Sequence, residues 1–468
     1  MDTTGKSTME KQLYGVSLFT GAGIGDVGFS ASGVEFLATC EVDRSRSALA
    51  ALNFPGARHF AEDIWHIGDD LVSCVLAELR KRQAELFLVS CTAPCQGMSK
   101  NGQGKLLSLI RKGDRPKLDP RNRLILPALN IMKRLHPIWA VFENVVEMRN
   151  TIIEDSTGRL RPILGIIEET LAPEYVGKAY SVEFADYGIP QRRQRLITVY
   201  TRNEIAKRHF ANGIDFIPTR THSKKPINGL RQWVSVTEAL ACFPALDSGS
   251  REKATSDIPF HRVPVLDSKK YDWISHTPLG ASAFDNQCAN PACGFRGNVE
   301  HGASHDKDGI NRAHTTTPLY CVKCGSLLPR PYTEKKDGSL RIMSGYTSAY
   351  KRMDPSLPAP ALTRNLSYPC SDQKVHPEQN RVLSLAEAMT LQTVSDYPYQ
   401  WGPIKIPRGN GYRECKVAPD ALIRLVIGES VPPRFLHLLG EHTRILSELE
   451  KLPSNLSRRR RAEQALLL

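Results

Sequence analysis

Short apolar runs alternate with stretches of helical periodicity in the first half of the chain. Four runs predict strands that end near residues 19, 41, 90 and 143, namely "YGVSLF", "VEFLATCE", "LFLVS" and "WAVFEN". Between the last two, "RLILPALNIMKRL" has the period of a helix, in which Pro127 is tolerated only near the first turn. The later segment "YSVEFADYGIPQRRQRLITVY" predicts two extended runs joined by a turn, as in an antiparallel pair that closes a sheet. The pattern therefore predicts an α/β fold, a parallel sheet covered by helices.

The alternation fades after about residue 200, and this change predicts the domain organisation. Residues 12–200 are assigned to the α/β domain. Residues 201–375 are rich in Gly, Pro, Ser, His and basic residues and are assigned to a second, smaller domain. Helical periodicity returns in "SLAEAMTLQ" and "APDALIRLVIGESVPPRFLHLLGEH", so residues 376–445 are expected to pack back onto the first domain. Residues 446–468 form a basic tail that ends in "SRRRRAEQALLL". The simplest interpretation of this tail is a frayed and solvated helix end.

Composition narrows the class of protein. The 468 residues include 62 Lys and Arg against 49 Asp and Glu, a net charge of +13, which is compatible with a polyanionic partner or with a merely basic enzyme. The sequence has no apolar run long enough to cross a membrane and no signal peptide, so a cytoplasmic protein, by default a monomer, is expected. Eleven cysteines in such a chain are too sparse for a disulfide scaffold.

A glycine-rich loop follows the first predicted strand. "SLFTGAGIGDVGF" places Gly21, Gly23 and Gly25 where the backbone can turn tightly and approach a ligand closely. The next strand ends in Glu41, at the distance at which a carboxylate accepts hydrogen bonds from ribose hydroxyls, and Asp63 follows a third strand. A nucleoside cofactor is therefore predicted, and the loop leaves open whether it is a nicotinamide dinucleotide or S-adenosylmethionine.

A cysteine lies just beyond the strand "LFLVS", in "SCTAPCQGMS". Cys95 follows Pro94 at the carboxyl end of that strand, the edge of an open α/β sheet where ligands bind. Glu143 ends the next strand, and "QRRQR" supplies arginines. This set suits methylation of cytosine at carbon 5, because a thiolate adding to carbon 6 makes carbon 5 nucleophilic. A carboxylic acid and a guanidinium can stabilise the charge that develops on the ring nitrogen and oxygen.

At these motifs the chain resembles the DNA (cytosine-5)-methyltransferases, of the bacterial restriction-modification or phage-defence type. "FTGAGIGDVGF" is similar to the family's cofactor loop, "APCQGMS" to its nucleophile loop, "FENV" to its acid motif and "DYGIPQRRQRLITV" to its arginine motif. "HPEQNRVLSLAEAMTLQTVSDYP" and "IGESVPP" are similar to its last two motifs, in the family's order. The resemblance covers residues 15 to about 200 and about 376 to 440.

The resemblance implies a Rossmann-like S-adenosylmethionine-dependent methyltransferase domain with a smaller target recognition domain, acting on a cytosine flipped out of double-stranded DNA. It implies Cys95 as nucleophile, Glu143 on ring nitrogen 3, and Arg193 and Arg195 around the active-site loop and the cytosine oxygen. The residues it places around S-adenosylmethionine are Phe19, Gly21, Gly23, Gly25, Glu41, Val42, Asp63 and Ile64. Those it places against DNA in the first domain are Gln96, Ser99, Lys105 and Arg121.

The chain departs from the family at a few positions. Cys91 and Ala93 stand where the family usually has Gly and Pro, and Cys91 is interpreted as incidental. Glu429 stands where the last motif normally has Asn, which puts that cofactor contact in question without implying loss of activity.

Four cysteines lie in the middle of the second domain. "CANPAC" and "CVKC" supply Cys288, Cys293, Cys321 and Cys324, a spacing typical of a structural zinc ribbon. Four ordinary thiols are the alternative, and His301, His305 and His314 are alternative ligands. In the resembled family this region is the target recognition domain, which contacts DNA. The candidate contacts to phosphates and base edges are Arg330, Tyr332, Arg341, Tyr346, Tyr350, Lys351, Arg352 and Arg364.

Two other functions stay open from the sequence. One is cytosine-5 methylation of RNA by the same chemistry, although the RNA-acting relative of this family lacks a recognition domain with a zinc site. The other is a catalytically inactive DNA-binding protein that retains the fold. The family also suggests partner restriction or defence proteins.

Overall fold

The computed structural model describes residues 12–94, 98, 119–227, 229–305, 311–343, 348–371, 373–409 and 411–450. The strands are β1 (Leu13–Leu18), β2 (Val34–Cys40), β3 (Arg58–Phe60), β4 (Leu86–Cys91), β5 (Trp139–Asn144), β6 (Ile152–Glu154), β7 (Leu160–Pro162), β8 (Val176–Glu183), β9 (Gln191–Arg192), β10 (Gln194–Thr201), β11 (His222–Ser223), β12 (Arg231–Gln232), β13 (Ala303–His305), β14 (Asn311–Ala313), β15 (Tyr332–Glu334), β16 (Leu340–Ile342), β17 (Ala359–Pro360), β18 (Ile404–Arg408) and β19 (Gly411–Cys415).

The α-helices are α1 (Asp26–Ala31), α2 (Arg44–Asn53), α3 (Ile64–Arg82), α4 (Ile125–Leu135), α5 (Ile163–Leu171), α6 (Glu204–Ala211), α7 (Val236–Leu240), α8 (Ser268–Ser275), α9 (Leu385–Leu391), α10 (Asp420–Glu429) and α11 (Pro433–Glu448). Short 3-10 helices span Pro120–Leu124, Val146–Asn150, Phe184–Tyr187, Ala283–Asp285 and Val394–Asp396. Among these described residues, no helix is long and apolar enough to cross a membrane.

A seven-stranded sheet with the order β3-β2-β1-β4-β5-β10-β8 forms the centre of the fold. The first five strands in this order pair in parallel, whereas β10 pairs antiparallel with both β5 and β8. The predicted parallel sheet and its closing antiparallel pair are therefore confirmed. This mixed α/β sheet fits a Rossmann-like fold.

Helices cover both faces of the sheet, because both faces of its central strands are apolar. Helices α3, α4 and α5 pack on one face, and Pro127 lies in the first turn of α4 as predicted. Helices α1 and α11 pack on the other face. A Cβ on Gly28 would lie 2.0 Å from the backbone oxygen of Pro433, so glycine allows α1 and α11 to approach this closely.

Besides α6, the described part of residues 201–375 contains only short strands, two short α-helices and one 3-10 helix. A small apolar cluster around Trp273, Phe284 and Tyr350 forms its centre. Two buried arginines also connect the loops of this region, because the side chains of Arg330 and Arg352 donate mainly to backbone carbonyls. This polar interior explains why the sequence of this region shows little periodicity.

Candidate active site

A cavity of about 330 Å³ opens at the carboxyl ends of β1, β2, β4 and β5, and we call it the rim cavity. Its wall is formed by the glycine loop, by residues at the carboxyl ends of β2, β3, β4 and β5, by the arginines of "QRRQR", and by the end of α10 with the turn after it. The predicted site residues that line it are Phe19, Gly21, Gly25, Glu41, Val42, Asp63, Ile64, Glu143, Arg193 and Arg195. The structure therefore brings together most of the residues that the sequence assigned to one site.

Gly23 is the predicted cofactor residue that does not line the rim cavity. Its φ is +74°, and a Cβ there would lie 2.4 Å from the ring of Phe54. Glycine is required at this position for backbone conformation and packing, so its part in the site is to shape the loop.

A buried carboxylate lies beneath the glycine loop. Asp26 accepts hydrogen bonds from the hydroxyls of Ser17 at 2.8 Å and Thr20 at 2.5 Å. Burial raises the pKa of Asp26 to about 6, although both hydroxyls oppose the shift. Sequence reasoning did not single out Asp26, because an acidic residue in the first turn of a helix is common there for dipole reasons alone.

Glu41 lies at the end of β2 and is buried in the wall of the rim cavity. Its carboxylate accepts hydrogen bonds from the backbone N–H groups of Gly21 at 3.1 Å and Asp43 at 2.8 Å. Burial raises the pKa of Glu41, while these two bonds and the charge of Arg46 oppose that shift. The glycine loop and Glu41 therefore hold each other in place.

Arg46, in the first turn of α2, bridges two carboxylates of the cavity. Its Nη2 lies 2.9 Å from Oε2 of Glu429, and its Nη1 lies 3.9 Å from Oε1 of Glu41. The sequence did not indicate Arg46, because its partner Glu429 is almost four hundred residues away along the chain.

A carboxylate and a guanidinium meet at one side of the rim cavity. The Nε of Arg195 lies 3.0 Å from Oε1 of Glu143, and both side chains are largely buried. Arg193 is held differently, since its guanidinium donates to the backbone oxygens of Leu362 at 2.9 Å and Gly428 at 3.2 Å. Arg195 is thus the arginine paired with the acid, and Arg193 ties three segments of chain together around the cavity.

Asn144 positions the segment that leads to the predicted nucleophile. Its Nδ2 donates to the backbone oxygen of Ala93 at 3.0 Å, and its Oδ1 accepts from the N–H of Val145 at 2.8 Å. Thr92 also donates to the backbone oxygen of Phe19 at 2.7 Å. The segment that leads to Cys95 is therefore held by hydrogen bonds to residues at the ends of β1 and β5. Asn144 belongs to the motif "FENV", but the sequence pattern did not indicate this positioning role.

The predicted nucleophile, Cys95, lies outside the described residues, and so do four predicted DNA contacts, Gln96, Ser99, Lys105 and Tyr346, and residues 451–468 of the basic tail. Cys91 ends β4 as a fully buried thiol. Burial raises its pKa to about 12, so this thiol stays protonated at neutral pH, which agrees with its interpretation as incidental.

The four predicted cysteines of the second domain converge on one point. The sulfurs of Cys288, Cys293, Cys321 and Cys324 all lie within 4.8 Å of one another, and we call them the four-cysteine cluster. The Sγ atoms of Cys288 and Cys324 are 3.6 Å apart, and those of Cys293 and Cys321 are 3.9 Å apart. Sulfurs bound to one tetrahedral zinc at about 2.3 Å would be about 3.8 Å apart. The donor set therefore fits zinc.

The histidines considered as alternative ligands do not join this cluster where the structure describes them. His301 pairs through Nδ1 with the hydroxyl of Thr317 at 2.7 Å and stacks on Phe284. His314 is exposed and is not part of the cluster. The side chain of His305 lies outside the described residues.

The structure corrects the prediction that Arg352 contacts DNA. Its side chain is buried, and its guanidinium donates to the backbone oxygens of Thr277, His376, Gln379 and Ile274 and to the side chain of Asn380, at 2.5–3.0 Å. Arg330 and Tyr350 are buried in the same way, so they too are interior residues. A guanidinium is large enough to satisfy several carbonyls at once, and the sequence pattern cannot distinguish this use from a phosphate contact.

The other predicted contacts that the structure describes keep a side chain at least partly at the surface, namely Arg121, Tyr332, Arg341, Lys351 and Arg364. Arg364 is exposed, and its backbone packs against the end of α10 at Gly428. Arg121 is half-buried, and its Nε donates to Oδ1 of Asp119 at 2.9 Å. A phosphate contact by Arg121 would compete with this ion pair.

The chain is similar to known proteins over most of its length. The sequence model of the C-5 cytosine-specific DNA methylases matches residues 13–442. The chain is 27% identical over 437 residues to the type II methyltransferase M1.HgaI of Avibacterium volantium, which covers 91% of this chain and 96% of that protein. It is 22% identical over 436 residues to the type II methyltransferase M.DdeI of Desulfomicrobium norvegicum, which covers 91% and 87% of the two chains. Among solved structures, a proposed DNA modification methyltransferase encoded within a prophage (E. coli) has a TM-score of 0.48 and 18% identity, covering 93% of this chain and 99% of that one.

Proposed function

Because this chain belongs to the C-5 cytosine-specific DNA methylases, we propose that it transfers a methyl group from S-adenosylmethionine to carbon 5 of a specific cytosine in double-stranded DNA. The observation that carries this proposal is the rim cavity, where the paired side chains of Glu143 and Arg195 face the same space as the glycine loop and Glu41. One cavity thus combines groups suited to a nucleoside with groups suited to a pyrimidine ring.

The residues of the rim cavity fit S-adenosylmethionine, which supplies the methyl group as a sulfonium. Glu41, fixed by two backbone N–H groups, is suited to accept hydrogen bonds from ribose hydroxyls. Asp63 caps α3 through the N–H of Trp65 at 3.0 Å and is suited to an adenine amino group. Phe19, Gly21, Gly25, Val42 and Ile64 would surround the rest of the molecule.

The chain's own residues would activate the base. The target cytosine must leave the DNA stack, at a cost of a few kcal/mol, because its ring atoms are otherwise out of reach. The Cys95 thiolate would form a bond to carbon 6, and the electron pair of the carbon 5–carbon 6 double bond would then be available at carbon 5. Glu143 would donate a proton or hydrogen bond to nitrogen 3, and Arg195 would hold the exocyclic oxygen. Carbon 5 would then take the methyl group as the bond from that methyl to the sulfonium sulfur breaks. Loss of the carbon 5 proton to water, return of the nitrogen 3 proton to Glu143 and elimination of the thiolate would restore the aromatic ring and free Cys95.

A structural zinc ion is proposed for the four-cysteine cluster. Four thiolates close the tetrahedral shell, so the metal would have no open position for catalysis. Its role would be to hold a part of residues 201–375 that buries little apolar surface of its own. We thus propose that residues 201–375 form a target recognition domain that contains a zinc ribbon.

Replacing one ligand of the cluster should release the metal. Cys321→Ser is expected to lower the zinc content from about one ion per chain to near zero and to lower the melting temperature. Metal analysis and a thermal melt check both effects. Cys370→Ser is the matched control, because Cys370 is an exposed cysteine of the same region outside the cluster. A full complement of zinc in the Cys321→Ser variant would contradict the assignment.

We place this activity in a restriction-modification system of a bacterial cytoplasm, where methylation marks the cell's own DNA. The names of the two type II methyltransferases similar to this chain support that setting. A companion nuclease or another phage-defence protein would be the partner, and the enzyme itself would act as a monomer. Gln96, Ser99, Lys105, Arg121 and Arg364 remain the proposed DNA contacts, supported by the net charge of +13.

Methylome sequencing of a methylation-free bacterial host that expresses this chain tests the proposal. Methylated cytosines are expected in one short sequence motif, at nearly every copy of that motif, and in none of the DNA from the host without the gene. The same data would give the target sequence. Unmethylated DNA together with methylated cytosines in transfer RNA would instead establish an RNA methyltransferase, and unmethylated DNA bound by a folded protein would indicate an inactive binding protein.

A further inference from the structure

The rim cavity is acidic, although the chain as a whole is basic. Its lining includes six acidic side chains, Asp26, Glu41, Glu62, Asp63, Glu143 and Glu429, and three basic ones, Arg46, Arg193 and Arg195. The chain carries a net charge of +13. A cavity of this charge favours a cationic ligand over a neutral one of the same shape.

Three of these side chains form one electrostatic unit between α2 and α10. The single guanidinium of Arg46 lies 2.9 Å from the carboxylate of Glu429 and 3.9 Å from that of Glu41. Two carboxylates thus share the guanidinium of Arg46, and the formal charge of these three side chains together is −1. Arg46 and Glu429 are only partly exposed, with 23% and 35% of their side-chain surfaces accessible, so solvent screens this charge incompletely.

The surroundings hold Glu429 in this position. Burial raises the pKa of its carboxyl, while the charges of Arg46 and Arg364 favour the ionised form. Gly428 precedes it and is fixed through its carbonyl by Arg193. Glu429 is therefore held in the wall of the cavity and does not extend freely into solvent.

We propose that Glu429 is a specificity-determining residue that makes the rim cavity prefer the cationic methyl donor to its neutral product. This inference rests on the proposed function, in which S-adenosylmethionine binds there. Transfer of the methyl group converts a positively charged sulfonium into an uncharged thioether, so a negative charge in the wall attracts the donor more strongly than the product. The consequence is easier release of the product, S-adenosylhomocysteine, and weaker inhibition by it.

The test compares the dissociation constants of S-adenosylmethionine and S-adenosylhomocysteine by calorimetry, for the full chain and its variants. Glu429→Gln removes the charge and retains the size, and it should reduce the preference for the donor about three- to tenfold. Glu429→Asp retains the charge and should keep the preference within about twofold of the original. Equal weakening of both ligands in Glu429→Gln would show that Glu429 only ties α2 to α10, and would overturn the proposal.

A double variant separates charge from contact. The variant Arg46→Met/Glu429→Gln removes one cation and one anion, so the ion pair is absent but Glu41 keeps the formal charge of this group of side chains at −1. The preference for S-adenosylmethionine over S-adenosylhomocysteine should therefore return toward that of the unmodified protein. A preference that stays as low as in Glu429→Gln would contradict the charge argument.

The unmodified protein provides a measurement that depends on no variant folding correctly. An analogue that carries an ammonium group in place of the sulfonium should bind more tightly than S-adenosylhomocysteine, and this advantage should decrease as salt is raised. Weaker or equal binding of the analogue at low salt would overturn the proposal. If the unmodified protein binds none of these ligands, the proposed cofactor itself is wrong, an outcome distinct from a failure of the role of Glu429.

Discussion

Cys95→Ala should abolish methyl transfer, with kcat at least about a thousandfold lower than that of the unmodified enzyme. Carbon 5 of cytosine is too weak a nucleophile to take the methyl group unaided, and without the thiolate no bond to carbon 6 can activate it. DNA binding should change by less than about twofold, because phosphate contacts supply most of the affinity. A methyl-transfer assay on DNA that contains the target motif, together with a binding assay on the same DNA, measures the two effects.

Cys91→Ala is the matched control for this experiment, four residues earlier in the same strand and loop. Cys91 is fully buried, and burial raises its pKa to about 12, so it does not supply a thiolate at neutral pH. Its loss should leave kcat nearly unchanged and lower the free energy of unfolding by ~1 kcal/mol. Turnover retained in Cys95→Ala would remove Cys95 from the mechanism.

The central sheet could be predicted from sequence because its strands are buried on both faces. Such strands are nearly continuous apolar runs, and the runs predicted to end near residues 19, 41, 90 and 143 end at Leu18, Cys40, Cys91 and Asn144. The rim cavity follows from the same fact, since the carboxyl ends of parallel strands share one edge of the sheet. Side chains that directly follow the carboxyl ends of these strands therefore lie close together in the folded protein.

Contacts between distant segments could not be predicted in this way. Arg46 meets Glu429, and the guanidinium of Arg193 meets Gly428, only because α10 folds back over the glycine loop. A basic residue in a segment without periodicity gives no sign of whether it faces solvent or the interior. Arg352 and Arg364 illustrate this limit, because both lie in such a segment and only one is exposed.

Arg352→Met should therefore destabilise the second domain, and its effect on DNA should be indirect. The substitution leaves five acceptors around the buried guanidinium without their donor, including the backbone oxygens of Thr277 and Ile274. Losing several such bonds at a buried site is expected to cost about 3–5 kcal/mol. A thermal melt and limited proteolysis of residues 201–375 measure the loss, and DNA affinity should fall only as this part of the chain unfolds.

Arg364→Met is the matched comparison, because it removes the same charge from a position at the surface. If Arg364 contacts a phosphate, the melting temperature stays unchanged while the slope of log affinity against log salt falls by about 1. The two variants thus separate a structural arginine from a DNA-binding one by two independent readouts. An Arg352→Met variant that melts normally and whose salt slope falls by about 1 would restore the original prediction that Arg352 contacts DNA.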